Sequence, residues 1–292
     1  MEFKTVGEFF QMIDSYPHLC KSCGMCVGVC PTSAVTMKKN KYSQFIPSFD
    51  EDKCINCMLC VKSCPGIDIT DVTSKGIGEY KKIFIGYSTD KQIRESSPSG
   101  GVVSSLTSWM LEEGITKKVI SLSSENSVIT PEVVVNTSEE GILNCIGSKY
   151  VSYPILCASN QFDDNTTITT LPCESIALRR IHKDKGYIFG LFCSKAYTSD
   201  LIRFICKKEG IKPQEIRKIN FREGNWPGNV SIYTNKKIFR IPYNRSYYSA
   251  ISNGYYFTIQ GCLLCLDYFN EKADISFGDP WGMVQNEELL LG

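Results

Sequence analysis

Residues 20–31 read CKSCGMCVGVCP, and residues 54–65 read CINCMLCVKSCP. Both stretches follow the pattern C-x2-C-x2-C-x3-C-P, and each cysteine recurs 34 positions later, so the region is an internal duplication. Three thiolates spaced in this way can wrap one iron–sulfur cubane in a tight loop, and the fourth cysteine of such a run binds the other cluster. The repeat therefore predicts two [4Fe-4S] clusters.

The spacing also predicts which cysteines share a cluster. We expect one cluster on Cys20, Cys23, Cys26 and Cys64, and the other on Cys54, Cys57, Cys60 and Cys30. Each fourth cysteine is expected to begin the helix after its loop, with the proline at the helix start. Zinc knuckles and a disulfide framework are the alternatives, but zinc sites usually use two separated C-x2-C pairs without a C-P ending.

This part of the chain, roughly residues 15–72, resembles a bacterial-type two-cluster ferredoxin with a slightly long insert between its halves, from Met37 to Asp52. We expect the ferredoxin-like domain to span residues 1–75, with a linker near Thr73–Gly78. A second domain is expected over residues 76–292, because 292 residues are typical of two domains.

Composition excludes several other classes of protein. The formal net charge is +1, so no overall field attracts nucleic acid or an anionic membrane. The sequence has no run of about 18 apolar residues for a membrane span and no secretory signal at its start. We therefore expect a cytoplasmic protein whose 15 cysteines mostly bind metal rather than form disulfides.

The second domain is predicted to be mixed α/β. Five apolar runs favour strands, and two amphipathic stretches favour helices, Val102–Glu113 and Leu201–Glu209, with Gly114 and Gly210 at their ends. A hairpin is expected at Val230–Tyr233 and Ile238–Ile241. The first strand is not followed by G-x-G-x-x-G, so a Rossmann fold is not expected. The five strand predictions are Ile83–Tyr87, Lys118–Leu122, Glu132–Asn136, Ile168–Leu171 and Tyr187–Phe192.

Four further cysteines lie where such a sheet presents ligands. Cys173 follows a strand and precedes a helix at Ser175–Ile181, Cys193 ends another strand, and Cys262 and Cys265 form a C-x2-C pair. Four thiolates complete one cubane, so these residues are candidates for a third [4Fe-4S] cluster. The alternative is that two of them are ordinary buried cysteines. The remaining cysteines, Cys145, Cys157 and Cys206, are interpreted as core or loop residues.

A phosphate-binding element is predicted just before the helix Val102–Glu113. Ser99, Gly100 and Gly101 open Val102–Glu113, where small residues let a phosphate approach the free N–H groups of a helix start. The stretch Gly147-Ser148-Lys149-Tyr150 would add a hydroxyl, a cation and an aromatic face. The alternative is that Ser-Gly-Gly is only a flexible helix start.

Taken in order, these pieces resemble the family of coenzyme F420 hydrogenase/dehydrogenase beta subunits. The resemblance rests on SGGVV at 99–103, GSKY at 147–150, LPC at 171–173, GLFC at 190–193, Phe221-Arg222, CLLC at 262–265 and DISFGDPWG at 274–282. It implies FAD on Ser99, Gly100, Gly101, Ser148, Lys149 and Tyr150, and a [4Fe-4S] cluster on Cys173, Cys193, Cys262 and Cys265. Many relatives continue well beyond the last motif, so a shortened form is expected here.

The resemblance implies an FAD- and iron–sulfur-dependent oxidoreductase. Cubanes exchange single electrons and deazaflavins accept a hydride, so a flavin belongs at the junction between them. The implied path joins a hydride carrier such as F420, FAD, the third cluster, the two ferredoxin clusters and a partner protein or complex. Hydride transfer demands no general base, and no catalytic residue is nominated. Two alternatives stay open: a ferredoxin-driven FAD reductase of another organic substrate, and a non-enzymatic electron wire.

Overall fold

The computed structural model describes residues 2–68, 78–224 and 227–280, together with the backbone of 284–285 and 288–289. No helix in these residues combines the length and the apolar character of a membrane span. The α-helices are α1 Val6–Ser15, α2 Met25–Gly28, α3 Leu59–Ser63, α4 Lys91–Ser96, α5 Val102–Glu112, α6 Glu139–Leu143, α7 Pro172–His182, α8 Asp200–Glu209 and α9 Tyr247–Asn253. The strands are β1 Val35–Lys39, β2 Phe45–Phe49, β3 Lys118–Ser123, β4 Glu132–Asn136, β5 Thr166–Thr170, β6 Tyr187–Leu191, β7 Ile216–Glu223, β8 Asn229–Thr234, β9 Ile238–Pro242, β10 Ile275–Phe277, β11 Val284–Gln285 and β12 Glu288–Leu289.

The two cysteine runs fold alike. Ser22 and Asn56, which are related by the 34-residue repeat, both have positive φ, 59° and 55°. The related pair Gly24 and Met58 also has positive φ, 85° and 63°, and each precedes a short helix, α2 or α3. A left-handed backbone is costly for a residue with a side chain, so its recurrence at the same repeat positions indicates a shared loop shape.

One detail of the cysteine runs differs from the prediction. The sequence predicts that Cys30 and Cys64 begin a helix, but α2 ends at Gly28, and α3 ends at Ser63 with Cys64 as the cap residue after it. The prolines that follow these cysteines therefore come after short helices, which they cannot continue. The longer insert of the ferredoxin-like part, in turn, contains most of the antiparallel hairpin β1–β2.

The second part of the chain is built on a five-stranded sheet with the order β10-β6-β5-β3-β4. β10, β6, β5 and β3 are parallel and β4 is antiparallel. The strand and helix predictions between residues 102 and 209 are confirmed within a few residues, and so is the hairpin, which forms β8 and β9 of a second sheet. The mixed α/β class is therefore confirmed.

The strand prediction at Ile83–Tyr87 is wrong. This segment has no helix or strand assignment, and its large side chains are exposed, with Phe84 83% accessible. An apolar run forms a strand only where a neighbouring strand can pair with its backbone. The composition of the run does not show whether such a strand is available. The predicted linker at Thr73–Gly78 lies outside the described residues except for Gly78, and the proposed domain boundary at residue 75 lies outside them as well.

The two parts of the chain share a core. Met25 of the first cysteine loop is 1% exposed and belongs to the same apolar cluster as Ile120, Ile168 and Leu178 of the sheet and its helix α7. Gly28 lies so close to Ser159 and to the carbonyl of Leu156 that a Cβ on it would clash with both. The first cysteine loop is thus packed directly onto the α/β part.

Candidate functional site

The first candidate site, which we call the outer site, consists of Cys30, Cys54, Cys57 and Cys60. All four line one cavity, together with apolar side chains such as Val35 and Phe49. The backbone N–H of Ala34 donates to Cys30 Sγ at 3.2 Å, and that of Asn56 donates to Cys54 Sγ at 3.3 Å. Cys57 is exposed, so the outer site reaches the surface.

The second candidate site, which we call the middle site, consists of Cys20, Cys23, Cys26 and Cys64. These residues line a second cavity, whose wall also includes Cys60 of the outer site. Ser22 N–H donates to Cys20 Sγ at 3.4 Å. The cavities therefore gather the same two sets of four cysteines that the sequence pattern pairs across the runs.

The third candidate site, which we call the sheet-end site, consists of Cys173, Cys193, Cys262 and Cys265. Cys173 lies in the first turn of α7, just after β5, and Cys193 is the second residue after β6. Burial raises the pKa of Cys193, and electrostatic repulsion from Cys262 and Cys265 raises it further, so the three thiols lie within electrostatic range of one another. After burial, Glu174 and Cys23, the thiols of Cys262 and Cys193 also raise the pKa of Cys173. Cys173 therefore belongs to the same group of cysteines.

The donor set fits clusters of positively charged iron. Burial raises the pKa of Cys20 and of Cys60 to about 12, and it raises that of Cys23, Cys26 and Cys173 well above the usual range. Deprotonated thiolates at such positions need compensating positive charge, which bound iron supplies. Among the described residues, no three Cys, His, Asp or Glu side chains meet as ligands of a single metal ion would. The cysteines of the outer and middle sites surround cavities instead.

The middle and sheet-end sites adjoin each other. Cys23 is among the groups that raise the pKa of Cys173, after burial and Glu174. Glu174 is itself buried, accepts a hydrogen bond from Leu171 N–H at 2.7 Å, and has a pKa raised to about 8 by burial. The sequence prediction did not single out this residue.

The residues predicted to bind FAD are brought together only in part. Ser99 Oγ donates to Asp279, and Arg222 Nη1 donates to the other oxygen of the same carboxylate at 2.5 Å. Tyr150 is close enough to Arg222 for the cation to lower its pKa, although burial raises it overall, and Ser148 also acts on it. Ser99, Tyr150, Arg222 and Asp279 form a group that we call the Arg222 cluster.

Lys149 and the two glycines have other contacts in the structure. Lys149 Nζ donates to the carbonyl oxygens of Cys145 and Gly147, at 2.5 and 3.0 Å, and burial lowers its pKa to about 8. Gly101 precedes α5 with φ +76°, and a Cβ on it would lie 2.9 Å from Ile93 Cγ2. Gly100 has φ +55° and lies against Tyr87. Chain geometry alone therefore requires glycine at 101.

Arg222 and Asp279 are the functional candidates that residue-level prediction did not nominate. The sequence signal was present, since both lie in motifs that carry the family resemblance. Gly278, beside Asp279, packs directly on the ring of Phe192, which precedes Cys193. The Arg222 cluster is thus next to the sheet-end site.

The fold and these sites define a ferredoxin-like dicluster domain joined to an α/β electron-transfer domain. Comparison with known families agrees. Residues 19–66 match the 4Fe-4S dicluster domain. Residues 83–159 match the N-terminal part and residues 163–289 the C-terminal part of the coenzyme F420 hydrogenase/dehydrogenase beta subunit. The chain belongs to this family of coenzyme F420 hydrogenase/dehydrogenase beta subunits.

Individual relatives have low sequence identity to this chain but align with most of its length. The chain is 27% identical to a subunit of the F(420)H(2) dehydrogenase of Methanosarcina mazei over 289 residues, which cover 91% of this chain and 78% of the relative. It is 27% identical to the beta subunit of the coenzyme F420 hydrogenase of Methanothermobacter thermautotrophicus over 231 residues, or 71% and 77% of the two chains.

A solved structure shares the fold. A chain of the F420-reducing [NiFe] hydrogenase complex from Methanosarcina barkeri matches with a TM-score of 0.53 and 22% identity, over 68% of this chain and 70% of that chain.

Proposed function

We propose that the protein is an FAD-dependent iron–sulfur oxidoreductase that passes electrons between coenzyme F420 and a partner protein through three [4Fe-4S] clusters. The relatives named above are subunits of F420 dehydrogenases and hydrogenases, which supports both the coenzyme and the membership of a larger redox complex. The match to a dicluster domain supports two of the clusters.

One observation carries the proposal: the sheet-end site and the Arg222 cluster lie at the same edge of the parallel sheet. The carboxyl ends of β5 and β6 lead to Cys173 and Cys193, and β10, which pairs with β6, leads to Asp279. Parallel sheets bind ligands at this edge. A two-electron and a one-electron centre would therefore be neighbours.

The cysteine sites that begin at this edge adjoin one another in a series. Cys173 of the sheet-end site lies near Cys23 of the middle site, and Cys26 of the middle site lies near Cys60 of the outer site. The outer site then reaches the surface at Cys57, beside Ile55, whose side chain is 64% exposed. This order supports an electron path that ends where a partner protein can dock.

Bound FAD would join two-electron hydride exchange to the one-electron exchange of the clusters. The chain's own residues supply the surroundings. N–H groups donate to the sulfurs of Cys20, Cys30 and Cys54 and would stabilise the negative charge of clusters held there. The guanidinium of Arg222 offers charge-assisted hydrogen bonds to an anionic group such as the pyrophosphate, with Ser99 at the helix start beside it.

Anaerobic purification followed by iron, sulfide and flavin assays tests this function. The expected result is about twelve iron atoms per chain, the sum of three four-iron clusters, together with one FAD that reduced F420 bleaches. Flavin that responds to reduced ferredoxin but not to reduced F420 would instead support the reductase of another substrate. Clusters without flavin would support the electron wire, and zinc in place of iron would refute the proposal.

A further inference from the structure

The hairpin β1–β2, which lies mostly in the long insert between the two cysteine runs, is fastened to the α/β part of the chain. Its turn is closed by Asn40, whose N–H donates to the carbonyl of Gln44 at 2.9 Å and whose Oδ1 accepts from Gln44 N–H at 3.1 Å. Within the turn, Ser43 Oγ donates to Asp200 of α8 at 2.7 Å and accepts from Arg203 at 2.8 Å. The end of the hairpin is therefore anchored on α8.

Gln44, the last residue before β2, bonds to the ligand loops of two different cysteine sites. Its side chain is buried, with the residue only 1% exposed. Nε2 donates to the carbonyl of Cys20 in the middle site at 3.2 Å, and Oε1 accepts from the N–H of Gln260 at 3.3 Å. Gln260 lies two residues before Cys262 of the sheet-end site. Because a carbonyl only accepts and an N–H only donates, one orientation of the amide satisfies both contacts.

The same two ligand loops also touch each other directly. A Cβ on Gly261 would clash with the carbonyl oxygen of Cys20, so glycine at this position lets the two backbones approach. Lys21 Nζ donates to the carbonyl of Gly261 at 2.6 Å. The amide of Gln44 therefore bonds to both sides of a close backbone contact between the middle and sheet-end sites.

The residue after Gln44 adds two further contacts. The carbonyl of Phe45 accepts a hydrogen bond from Ser22 Oγ, in the first cysteine loop, at 2.7 Å. The ring of Phe45 packs edge to face on Tyr153 of the α/β part, with centroids 5.4 Å apart. Buried polar groups whose hydrogen bonds are all made hold their surroundings in one arrangement. The start of β2 thus holds the first cysteine loop and the α/β part together around Gln44.

Electron transfer between two clusters depends steeply on the distance between them, because electronic overlap decays through the intervening protein. Side chains that fix the ligand loops therefore influence the rate without touching a cluster. The contacts of Gln44 act on the spacing of the middle and sheet-end sites, since its two partners belong to one loop of each.

We propose that Gln44 is a positioning residue that fixes the spacing between clusters in the middle and sheet-end sites, with the hairpin as its support. The inference rests on the proposed function. An electron would then pass between these sites across a fixed contact, with no movement of the ferredoxin-like part.

Electron paramagnetic resonance of the reduced, full-length protein tests this role. A Cys57→Ser background, which disrupts the outer site, restricts magnetic coupling to the two inner clusters. In that background, Gln44→Met keeps the length of the side chain and loses both hydrogen bonds. It should reduce the splitting of the cluster signals, because dipolar coupling falls with the cube of the distance, and it should slow electron transfer between the inner clusters several-fold.

Two further variants complete the test. Gln44→Glu keeps an acceptor for Gln260 N–H but has no donor for the Cys20 carbonyl when ionised, so it should also reduce the splitting. Thr130→Val is the matched control. It removes the bond that Lys39 of the same hairpin donates to Thr130 at 3.3 Å, far along the sequence from either ligand loop, and should leave the splitting unchanged.

The possible failures are distinguishable. Parent protein without FAD, or with far fewer than about twelve iron atoms per chain, would refute the proposed function itself. Parent-like splitting and transfer rate in Gln44→Met, with iron retained, would overturn the role of Gln44 and leave the proposed function intact. If Gln44→Met loses iron from the inner sites, Gln44→Glu carries the test. Loss of that iron in both variants would also overturn the proposal, because Gln44 would then be needed to form the sites rather than to space them.

Discussion

At the residue scale, sequence reasoning is most informative where chemistry demands one residue type at a fixed spacing. The eight cysteines of the duplicated run line two cavities in the pairing that the spacing predicts. It fell short for Arg222 and Asp279, which are 57 positions apart and meet only after the sheet has formed. A cation and a carboxylate at that separation carry no local signal of their contact.

This contact leads to the first prediction. Arg222→Gln should weaken FAD binding about tenfold or more, since a hydrogen bond to a charged group contributes about 1.5–3 kcal/mol. Asp279→Asn, which keeps the shape but removes the charge competing for Arg222, should leave FAD binding unchanged or strengthen it. Fluorescence titration of apoprotein with FAD measures both. Lys149→Ala serves as the comparison and should have a small effect, because Lys149 Nζ is directed at two backbone carbonyls. Unchanged affinity in Arg222→Gln would place the flavin phosphates elsewhere.

At the element scale, the errors share one cause: an element depends on partners that its own residues do not encode. The apolar run at 83–87 is predicted as a strand, but it is exposed and forms neither a helix nor a strand. The helices expected after Cys30 and Cys64 were misplaced because the short helices lie inside the cysteine loops. The strands that were confirmed, such as Glu132–Asn136, have a neighbouring strand along their whole length.

The start of α5 gives the second prediction. Gly101→Ala should destabilise the fold more than Gly114→Ala, although both glycines have positive φ, +76° and +68°. Both variants incur the left-handed backbone cost of about 1–2 kcal/mol. Only the Cβ at 101 also meets Ile93, at 2.9 Å, whereas nothing lies within 4 Å of a Cβ at 114. Thermal unfolding of the two variants measures the difference. Equal melting temperatures would show that α4 and α5 adjust to the added methyl group.

The loop that carries Cys262 and Cys265 gives the third prediction. Cys262→Ser should remove about four of about twelve iron atoms per chain, because one ligand of one four-iron cluster is lost. The outer and middle sites draw their eight cysteines from residues 20–64 and should keep their iron. Iron and sulfide analysis of anaerobic protein measures the change, with Cys206→Ser, a core cysteine of α8, as the matched control. Iron content equal to that of the parent would refute the sheet-end site as a cluster site.

At the scale of the whole molecule, the proposed electron path joins the Arg222 cluster to the three cysteine sites. The resemblance to a two-cluster ferredoxin predicts two of the cluster sites, and the cysteines at the strand ends suggest a third. Neither predicted that Met25 of the first loop would be buried in the core beneath the sheet. That packing depends on complementary surfaces from distant parts of the chain, and it sets the middle site between the other two.

The order of the route can be tested at its far end. Cys57→Ser should damage the outer site while leaving the Arg222 cluster and the sheet-end site intact, because Cys57 is exposed and lies at the opposite end of the series. Hydride uptake by the flavin from reduced F420 should then persist in rapid mixing. Turnover with a one-electron acceptor protein should collapse, whereas a small dye that reaches the flavin directly should still turn over. Cys145→Ser, which changes a cysteine outside the three sites, should affect none of these rates.

Two other results would change this account of electron flow. If acceptor turnover survives in Cys57→Ser, the outer site is not where electrons leave, and the exposed Cys265 of the sheet-end site becomes the place to look for partner contact. If flavin reduction itself is lost in folded protein, electrons enter through the ferredoxin-like domain and leave at the flavin. The direction would then match a ferredoxin-driven reductase. Loss of a cluster prevents flavin reduction only when that cluster lies before the flavin in the electron path.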